Sequence, residues 1–462
     1  MTVVVLLAAG RGVRMKSLRP KVLHEAAGRP LLDRVLDIAH AVAGSASRVV
    51  VVISKENAAV AGHLKAHPGV RVAVQDPPRG TGDAVRAAAA QFGKAKQVVV
   101  LSGDVPLLDA TSVTSLVRAL DADPKAAVAV LTATLADPTG YGRIVRDKRK
   151  SFVRIREERD SSERERKIGE INTGTYAFDR AFLEKSLPLL TSKNSQSEFY
   201  LTDVLSLARK AGRRVVLVLG DPSSALGVNS RADLARVDSI LRRRNAEAAM
   251  AAGATLLRPE TITLDDEVTL GTDVVVEPFA TLLGKTRVGA GSRIGQGAVI
   301  RDAVLGRGVT IRPYSVIEEA RIGDGAVVGP FARLREGTDL GAGVHVGNFV
   351  ETKKAKLHAG VKANHLTYLG DTEIGERTNV GAGVITCNYD GFRKHKTTIG
   401  RDVFVGSDSQ LVAPVTVGDG AVIGAGTTVT EDVPKDGLAV SRSPQKNVER
   451  GGALYRARKT KS

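Results

Sequence analysis

The chain is poor in the residues that mark several common classes of protein. It has no tryptophan, 4% aromatic residues and one cysteine, Cys387, among 462 residues. A single cysteine excludes an internal disulfide and favours a reducing, cytoplasmic compartment. No apolar run is long enough to span a membrane, and the N-terminal sequence MTVVVLLAAGRG has no basic leader. We therefore expect no membrane segment and no signal peptide.

Acidic residues are outnumbered by basic ones, which leaves a formal net charge of +17. We expect no nucleic-acid partner, because tryptophan is absent and no basic stripe is interleaved with aromatic side chains on which bases could stack. Anionic small-molecule substrates, a solvated basic surface and a disordered basic tail over residues 446–462 account for the charge better.

Glycine is abundant, at 48 residues, and many glycines follow aliphatic residues that recur at every sixth position. This period fits neither an α-helix nor an alternating strand. It predicts coils with three short flat sides, each with one inward aliphatic and a small residue at its corner. Stacked coils share one core, so the pattern is that of a parallel β-helix of hexapeptide repeats. The predicted inward positions, with slips of one residue between runs, are Leu264, Leu270, Val276, Leu282, Val288, Ile294, Ile300, Leu305, Ile311, Ile317, Ile322, Val328, Leu334, Leu340, Val346, Ile374, Val380, Ile399, Val405, Leu411, Val417, Ile423 and Val429.

The six-residue period is lost between Val346 and Ile374 and again between Ile385 and Ile399. Such interruptions predict loops that leave the coil, often over a binding cleft. His365 lies in the first interruption among polar neighbours. Because histidine titrates near neutral pH, His365 is the best candidate for a general base.

The histidines of the β-helix also allow a metal-centred alternative. Three of them could bind a metal between coils, which would generate a hydroxide nucleophile. The candidates are His345, His358, His365 and His395.

The N-terminal third shows a different pattern, in which apolar β-branched runs alternate with helical stretches. This alternation predicts an α/β domain with a mostly parallel sheet, whose ligands bind at the carboxyl ends of the strands. The predicted strands are Thr2–Leu7, Arg48–Ile53, Val70–Gln75, Gln97–Leu101 and Ala126–Ala133, and the predicted helices are Leu31–Ala43 and Asp83–Phe92.

A glycine-rich turn, Ala8–Gly12, follows the first strand. Such turns let backbone N–H groups approach a phosphate closely. Arg11 within the turn, and Arg14 and Lys21 after it, could surround a triphosphate. Asp104 follows a later strand and is a candidate Mg²⁺ ligand, since Mg²⁺ is held by oxygen side chains together with water and substrate phosphates.

A single helix is predicted over Arg231–Ala252, between the two patterns. Ser230 is a suitable N-cap, Gly253 is a stop signal, and apolar residues recur at helical spacing between them. This segment is expected to link the two domains.

Several short motifs of the N-terminal third resemble the signature of sugar-1-phosphate nucleotidyltransferases. Together with the long hexapeptide β-helix, they resemble the bacterial family of bifunctional N-acetylglucosamine-1-phosphate uridyltransferases and glucosamine-1-phosphate N-acetyltransferases over nearly the whole chain. The motifs are Leu7-Ala8-Ala9-Gly10-Arg11-Gly12-Val13-Arg14-Met15, Pro20-Lys21-Val22-Leu23-His24, Gly80-Thr81-Gly82, Gly103-Asp104-Val105-Pro106, Gly140-Tyr141-Gly142-Arg143-Ile144, Glu170-Ile171-Asn172-Thr173-Gly174 and Val228-Asn229.

The resemblance implies an α/β nucleotidyltransferase (Rossmann-like) domain over 1–229, a linker helix over 230–252, a left-handed parallel β-helix acetyltransferase domain over 253–445 and a basic tail over 446–462. It implies acetyl transfer from acetyl-CoA to glucosamine-1-phosphate, then uridylyl transfer from UTP to N-acetylglucosamine-1-phosphate with release of pyrophosphate. The product, UDP-N-acetylglucosamine, would supply cell-wall precursors. The resemblance also implies Mg²⁺ and a homotrimer with acetyl sites between neighbouring β-helices.

In the uridyltransferase site, the resemblance implies that Arg14 and Lys21 neutralise phosphates and that Asp104 and Asn229 hold Mg²⁺. The residues implied to hold the nucleotide and the sugar are Leu7, Ala8, Ala9, Gly10, Lys21, Gln75, Gly80, Thr81, Gly142, Glu157, Asn172, Thr173 and Asn229. Pro78, Asp83 and the basic segment 147–160 depart from the family pattern. Because of the last departure, Glu158 competes with Glu157 for contact with the sugar.

In the acetyltransferase site, the resemblance implies that His365 is the base and that Glu351 orients it or helps to accept the proton. Cys387 is expected to be a buried small residue, because direct attack by the amine needs no acyl-cysteine. The residues implied to bind the sugar phosphate are Arg335, Lys353, Tyr368 and Asn379, and those implied to bind acetyl-CoA are Ala382, Asn388, Tyr389, Ser407, Ala425 and Arg442.

Two alternatives to a bifunctional enzyme remain at this stage. One is a sugar-1-phosphate nucleotidyltransferase of single activity, whose β-helix serves only oligomerisation. The other is a regulatory or scaffolding subunit that keeps the fold. The charged chemistry retained at Lys21, Asp104 and His365 argues against both.

Overall fold

The computed structural model describes residues 1–10 and 12–459. The prediction for Arg11 and the last three residues of the predicted tail lie outside this range. The chain divides into two compact units, Met1–Arg242 and the part from Arg243 onward. Within the described part of the chain, no helix is both long enough and apolar enough to cross a membrane.

The first unit alternates strands and helices, as the sequence predicts. Its strands are β1 Thr2–Leu7, β2 Glu25–Ala26, β3 Arg29–Pro30, β4 Val49–Ser54, β5 Arg71–Gln75, β6 Gln97–Ser102, β7 Ala126–Thr134, β8 Arg143–Arg146, β9 Phe152–Arg156, β10 Glu170–Asp179 and β11 Arg214–Leu219. Its helices are α1 Leu31–Ala43, α2 Ala58–Leu64, α3 Thr81–Ala88, α4 Ala110–Ala122, α5 Glu163–Arg166, α6 Arg180–Ser186 and α7 Asp203–Lys210, and α8 Arg231–Ala251 crosses the boundary between the units.

The main sheet has the order β11-β7-β10-β6-β1-β4-β5, with β8 and β9 attached at β10. Strand β1 pairs in parallel with both β4 and β6, and all three are almost wholly buried because Val and Leu fill both of their faces. Strand β10 runs antiparallel to β6 and β7. This antiparallel strand was not among the predicted ones, since its sequence EINTGTYAFD carries polar residues and a register shift between Asn172 and Tyr176.

The order of the strands creates a switch point beside β1. The chain adds β4 and β5 on one side of β1 and then returns to place β6 on its other side. The carboxyl ends of these parallel strands therefore share one edge of the sheet, which is where ligands of such sheets bind.

The second unit is a stack of short parallel strands that is consistent with the left-handed β-helix of hexapeptide repeats. One flat side forms an 11-stranded sheet made of Thr255–Leu256, Val275–Val276, Arg293–Ile294, Thr310–Ile311, Val327–Val328, His345–Asn348, Lys362–His365, Asn379–Val380, Phe404–Val405, Val422–Ile423 and Leu438–Ala439. The strands of the other sides join in a 17-stranded sheet made of Thr263–Leu264, Thr269–Leu270, Thr281–Leu283, Arg287–Val288, Val299–Arg301, Val304–Leu305, Val316–Glu318, Arg321–Ile322, Arg333–Leu334, Asp339–Leu340, Glu351–Leu357, Tyr368–Ile374, Ile385–Cys387, Thr397–Ile399, Gln410–Val412, Val415–Val417 and Thr428–Val429.

The aliphatic residues of the six-residue period form the core of this stack. Each predicted inward residue is buried except Leu270, which is half-buried and packs against the same core. A residue of one coil pairs with its counterpart one coil later, as Leu282 does with Ile300. The core is therefore continuous along the stack, and no coil has to be stable alone.

The first predicted interruption of the coil is wrong. The coil continues between Val346 and Ile374, with smaller or polar side chains at some inward positions and leucine at others. Thr352, Ala363 and Leu369 are fully buried there, and they lie next to their counterparts in neighbouring coils. The aliphatic period was lost at Thr352, a polar residue that can be buried because its hydroxyl is hydrogen-bonded to that of Thr338 at 2.9 Å.

The second predicted interruption is a genuine loop over residues 388–396. It leaves the stack after the strand Ile385–Cys387, in which Thr386 is again a buried inward threonine, and the strands resume with Thr397–Ile399. Asp390 organises the loop by accepting bonds from the backbone N–H groups of Phe392 and Arg393 at 2.7 and 2.6 Å.

The predicted linker forms a helix, and the predicted tail is helical from Gly451 to Lys459 but not over residues 446–450. Helix α8 begins after Ser230, whose hydroxyl accepts the N–H of Asp233 at 3.2 Å, and ends before Gly253, whose φ is +100°. In the predicted tail, Gly451–Lys459 forms a helix, α9, so the expectation of disorder is wrong there. Alanine, leucine and arginine, which favour helices, outweigh the repulsion of its basic residues.

Candidate active sites

The carboxyl ends of β1, β5 and β6 open into a cleft of about 460 Å³ in the first unit. The loops after β1 and β6 are joined directly, since the N–H of Gly103 donates to the carbonyl of Leu7 at 2.9 Å. Most of the residues predicted to hold the nucleotide therefore meet in one place. The lining comprises Leu7, Ala8, Ala9, Gly10, Lys21, Val22, Gln75, Pro78, Gly80, Thr81, Ala84, Ser102, Asp104 and Glu198.

An ammonium group lies between the two side chains predicted to hold Mg²⁺. The Nζ atom of Lys21 donates to the Asp104 carboxylate and, at 3.1 Å, to Oδ1 of Asn229. The backbone supports this arrangement, because the N–H of Val228 donates to the carbonyl of Asp104 at 2.8 Å. Two oxygen donors thus converge on one cation, so the residues present fit a divalent metal whose other ligands are water and phosphate.

Two glycines allow the loops around the cleft to pack closely. Gly12 has a φ of +60°, and a Cβ there would lie 2.8 Å from Cβ of Lys21. Gly80 has a φ of +104°, and a Cβ there would lie 2.7 Å from the carbonyl oxygen of Phe199. A larger residue at position 12 would push its loop away from Lys21. A larger residue at position 80 would push its loop away from Phe199.

Gln75 is fixed in the cleft by a residue that departs from the family pattern. Its Nε2 donates to the carbonyl of Gly80 and to Oδ2 of Asp83, both at 3.0 Å. Asp83 is buried and also lies 3.4 Å from Arg79 and 3.7 Å from Arg86. The carboxylate at position 83 thus orients Gln75 and is itself balanced by two guanidinium groups.

The residues predicted to bind the sugar gather on β8, β9 and β10. The N–H of Asn172 donates to the carbonyl of Gly142 at 2.8 Å. A Cβ on Gly142 would lie 3.4 Å from the carboxylate of Glu157, so the glycine leaves space beside that carboxylate. Burial raises the pKa of Glu157, and a bond from the hydroxyl of Thr202 at 3.2 Å opposes the shift in part. Thr173 points elsewhere, and its hydroxyl donates to the carbonyl of Leu131.

Glu158, the competitor of Glu157, has a structural partner. Its Oε2 lies 2.7 Å from Nη1 of Arg143, whose side chain is 1% exposed, and accepts the N–H of Gly140 at 3.2 Å. The neighbouring glutamates therefore differ in role, because one neutralises a buried guanidinium and the other keeps its carboxylate next to Gly142.

Arg14 is the exception among the residues predicted for this site. It lies in a short 3₁₀ turn, Val13–Met15, and is exposed, and the described residues that line the cleft do not include it. Its role in phosphate neutralisation stays a prediction.

In the second unit, His365 ends a strand on one flat side of the stack. Its Nδ1 lies 3.1 Å from Oδ1 of Asn348, its neighbour in the preceding coil. An Nδ1–H that donates to this oxygen leaves Nε2 with its lone pair, which is the tautomer that a general base needs. Sequence reasoning missed Asn348, although its position, 17 residues before His365, is about one coil away.

Glu351 does not make the orienting contact predicted for it. Its carboxylate bonds Nη1 of Arg335 at 2.9 Å, and the contact with His365 belongs to Asn348 instead. The reason is the register, in which Glu351 lies opposite Tyr368 on a different side of the coil. Its part in accepting the proton stays a prediction.

The cations predicted to bind the sugar phosphate are paired with carboxylates. Arg335 bonds Glu351, and Nζ of Lys353 lies 3.1 Å from Glu336. A phosphate would take the place of a carboxylate on each cation, because both groups are oxygen anions of similar reach.

Tyr368 and Asn388 meet above Gly370. A Cβ on Gly370 would lie 2.5 Å from the hydroxyl oxygen of Tyr368 and 2.8 Å from Nδ2 of Asn388. Nδ2 of Asn388 also donates to Asp371 at 2.5 Å, which holds the start of the 388–396 loop against the stack. Asn379, also predicted for the sugar, pairs with Lys362 on the His365 side of the coil.

Three of the residues predicted to bind acetyl-CoA, Ala382, Ser407 and Ala425, occupy equivalent positions in successive coils. A Cβ on Gly381 would lie 2.6 Å from the N–H nitrogen of Ser407, and one on Gly406 would lie 2.4 Å from that of Ala425. Nη1 of Arg442 donates to the carbonyl of Ala425 at 2.5 Å. Ala382, Ser407, Ala425 and Arg442 therefore form a row along the stack, which we call the track.

The track begins one residue before Gly383, at Ala382, in the coil next to His365. The N–H of Gly383 donates to the carbonyl of His365 at 3.4 Å. A chain-like ligand on this track would bring its end to the base. Tyr389 lies in the adjacent loop and is 60% exposed, with its hydroxyl donating to Gly391.

Cys387 is half-buried, so the expectation of a fully buried residue is wrong. Its position ends a strand just before the 388–396 loop, where one face stays open. Burial nevertheless raises the pKa of its thiol, which disfavours the nucleophilic thiolate.

The metal-centred alternative for the β-helix finds no support among the described residues. Groups of three or more metal-binding side chains with ligand atoms within 4.8 Å of one another comprise only Asp33, His63 and His67, all in the first unit. The β-helix histidines have separate partners, for example Glu373 for His358 and Asp390 for His395.

Comparison with protein families agrees with both halves of the fold. Residues 4–168 match the MobA-like NTP transferase domain, and residues 396–431 match the bacterial transferase hexapeptide (six repeats). The first match covers the cleft from Leu7 to Asp104, and the second covers the later coils of the stack.

Curated relatives match the whole chain. The bifunctional protein GlmU of Sorangium cellulosum (strain So ce56) is 47% identical over 460 residues, which cover 98% of this chain and 96% of the relative. The protein of the same name from Anaeromyxobacter sp. (strain Fw109-5) is 49% identical over 96% of this chain and 90% of its own length. That of Trichlorobacter lovleyi (strain ATCC BAA-1151 / DSM 17278 / SZ) is 46% identical over 96% of both chains. At this identity and coverage, the chain belongs to the family of the bifunctional protein GlmU.

Proposed function

We propose that this chain catalyses acetyl transfer to glucosamine-1-phosphate in its β-helix unit and uridylyl transfer to N-acetylglucosamine-1-phosphate in its α/β unit. Together these steps make UDP-N-acetylglucosamine. The observation that carries the proposal is that each unit holds its own charged site, with Lys21, Asp104 and Asn229 in one and His365 with Asn348 in the other.

In acetyl transfer, the amine of the sugar attacks the thioester carbonyl of acetyl-CoA, and the thiolate of CoA leaves. The ammonium must first lose a proton, which Nε2 of His365 accepts while Asn348 holds Nδ1. Arg335 and Lys353 hold the phosphate of the sugar, and the track through Ser407 supports acetyl-CoA.

In uridylyl transfer, a phosphate oxygen of the sugar attacks the α-phosphorus of UTP, and pyrophosphate leaves. This oxygen is already ionised at neutral pH, so the step needs position and charge neutralisation but no protein base. Lys21 neutralises phosphate charge, and Glu157 and Asn172 hold the sugar next to Gly142. Asp104 and Asn229 would hold Mg²⁺, which when bound supplies further positive charge to the phosphates.

We also propose a homotrimer, because stacks of hexapeptide repeats commonly oligomerise. A sedimentation-equilibrium mass of three chains is expected, and a monomeric mass would contradict it. The cytoplasmic location stays a prediction from the cysteine content.

The central test incubates the chain with glucosamine-1-phosphate, acetyl-CoA, UTP and Mg²⁺, with one of them omitted at a time. Without UTP, we expect N-acetylglucosamine-1-phosphate to accumulate. Without acetyl-CoA, we expect no UDP-N-acetylglucosamine unless N-acetylglucosamine-1-phosphate is supplied. If the acetylated sugar phosphate does not form without UTP, the two-site proposal is wrong.

A further inference from the structure

Two histidines and an aspartate converge on one point outside both candidate active sites. Nε2 of His63 lies 2.5 Å, and Nε2 of His67 3.3 Å, from the same oxygen, Oδ1 of Asp33. The imidazole rings are 5.4 Å apart between their centroids. None of the three residues lines the cleft described above.

The fold places the three side chains on helix α1, on helix α2 and in the turn that follows α2. Asp33 lies in the first turn of α1, and His63 lies in the last turn of α2. His67 follows four residues later in a turn held by its own N–H, which donates to the carbonyl of Leu64 at 3.0 Å. A spacing of four residues brings two side chains to one face of a helical segment.

The chemistry of these donors selects a class of cation. Neutral imidazole suits zinc and its neighbours among the first-row transition metals, and a carboxylate completes a common set of three ligands. Mg²⁺ and Ca²⁺ prefer oxygen donors alone, so this site differs in kind from the one formed by Asp104 and Asn229.

One of the two distances to Asp33 already matches a metal site, and the other, 2.5 Å from His63, has to lengthen when an ion binds. In a tetrahedral zinc site the ligand atoms lie about 3.3 Å apart, as follows from zinc–ligand bonds of about 2.0–2.1 Å. The separation of 3.3 Å between His67 and Asp33 already has this value. The three ligand atoms all lie within 4.8 Å of one another, so small side-chain rotations complete the geometry.

The burial of the three side chains also suits a bound ion. They are 25%, 23% and 16% exposed for His63, His67 and Asp33. The group is therefore largely but not wholly withdrawn from water, so a water molecule can reach a bound ion as fourth ligand.

We propose that Asp33, His63 and His67 form a binding site for a divalent transition-metal cation of the zinc class. The ion replaces the protons that the two Nε2 atoms otherwise share with Asp33, and it joins α1 to the end of α2. Because it binds the folded chain, it stabilises the first unit by mass action.

The test uses the full chain without a polyhistidine tag, stripped with EDTA and then saturated with Mg²⁺ so that the Asp104 site is occupied. Titration with Zn²⁺ by calorimetry should show one more bound ion per chain in the wild type than in the double variant His63→Gln/His67→Gln. Asp33→Asn should weaken binding at least tenfold. Zn²⁺ at about 100 times its Kd should raise the Tm of the first unit by about 5 °C in the wild type alone.

A matched control is His358→Gln, since His358 also pairs with a carboxylate, Glu373 at 3.0 Å, but without a second histidine. This variant should bind as many Zn²⁺ ions as the wild type. Co²⁺ should give the visible absorption of a low-coordinate ion in both proteins and lose it in the double variant.

A measurement on the wild type alone guards against misfolding of the variants. Zn²⁺ should protect His63 and His67, but not His358, from modification by diethyl pyrocarbonate, as mapped by mass spectrometry. Equal Zn²⁺ binding by the wild type and a folded double variant, or modification of His63 and His67 that Zn²⁺ does not slow, would show that the group is only hydrogen-bonded and overturn the proposal.

Discussion

The two candidate active sites are built in opposite ways. In the α/β unit, Lys21 meets Asn229 across 208 residues of sequence, because separate loops converge on one edge of a sheet. In the β-helix unit, His365 meets Asn348 across 17 residues, because each coil repeats the position of the last. In the β-helix, the number of residues in a coil therefore predicts which residues are neighbours. In the doubly wound sheet, the separation of two residues in sequence does not predict whether they meet.

The largest expected effect tests the independence of the β-helix site. His365→Ala should lower the kcat of acetyl transfer by about 10³-fold, because the general base is lost, while uridylyl transfer from supplied N-acetylglucosamine-1-phosphate is unchanged. Asn348→Ala should lower the kcat of acetyl transfer by about tenfold and shift the pH profile of that reaction, since the imidazole of His365 loses the partner that sets its tautomer. A matched control is His345→Ala, which removes an exposed histidine of the same side. Equal loss of both activities in His365→Ala would contradict two separate sites.

The reciprocal variant is Lys21→Ala. It should lower uridylyl transfer by about 10²–10³-fold, because one preorganised cation at the phosphates is removed, and leave acetyl transfer intact. Lys16→Ala removes an exposed cation from the same loop and should retain uridylyl transfer. Circular dichroism of each variant checks that the fold is kept. Full uridylyl transfer activity in Lys21→Ala would contradict the assignment of Lys21 to the nucleotide site.

A stability measurement tests whether the coil continues through the first lost period. Leu369 is fully buried at an inward position, so Leu369→Ala should lower the free energy of unfolding by about 3 kcal/mol. Leu366, three residues earlier, is 63% exposed, and Leu366→Ala should change it by less than about 0.5 kcal/mol. Denaturant titration of the second unit provides both values. Similar costs for the two leucines would mean that the segment is a loop.

The smallest expected effect separates two adjacent glutamates. Burial raises the pKa of Glu157, so the folded state holds its proton more tightly than the unfolded state, and this contribution to stability is lost as pH rises above the usual value of 4.5. Glu157→Gln should therefore raise the free energy of unfolding at pH 7 and raise it less at pH 4, while it weakens binding of the sugar. Glu158→Gln should lower stability at pH 7, because the buried guanidinium of Arg143 loses its ionic partner. Thermal unfolding at both pH values measures the change in stability of each variant. A change of the same sign at pH 7 for both variants would contradict these roles.

Much of the fold could be predicted from the sequence because both patterns are strong. Strand β1 and helix α1 lie where predicted, and the six-residue period identified the core of the stack. The failures have a common cause. Thr352 and Ala363 are inward residues that are not large aliphatics, so the six-residue aliphatic period is lost where the coil in fact continues. Strand β10 was missed because polar residues interrupt its apolar pattern.

Less of the candidate sites could be predicted, and mostly through the family resemblance. The cleft collects Lys21, Gln75 and Asp104 as expected. The contact between Asn348 and His365, and the ionic partner of Glu158, depend on register and on side-chain direction, which no local pattern encodes. Arg14 is a further example, since the motif Leu7–Met15 contains it but does not predict that its side chain is exposed.

Sequence alone is enough to establish the two architectures, the positions of their cores and the residue types available to each site. It could do so because apolar periodicity and glycine placement act locally, residue by residue along the chain. The polar groups that meet are set by the packing of the folded chain: Lys21 with Asn229, Asn348 in place of Glu351 beside His365, and Asp33 with His63 and His67. Hydrogen bonds and ion pairs act over about 3 Å, so they form only where the packing of distant segments brings their atoms together.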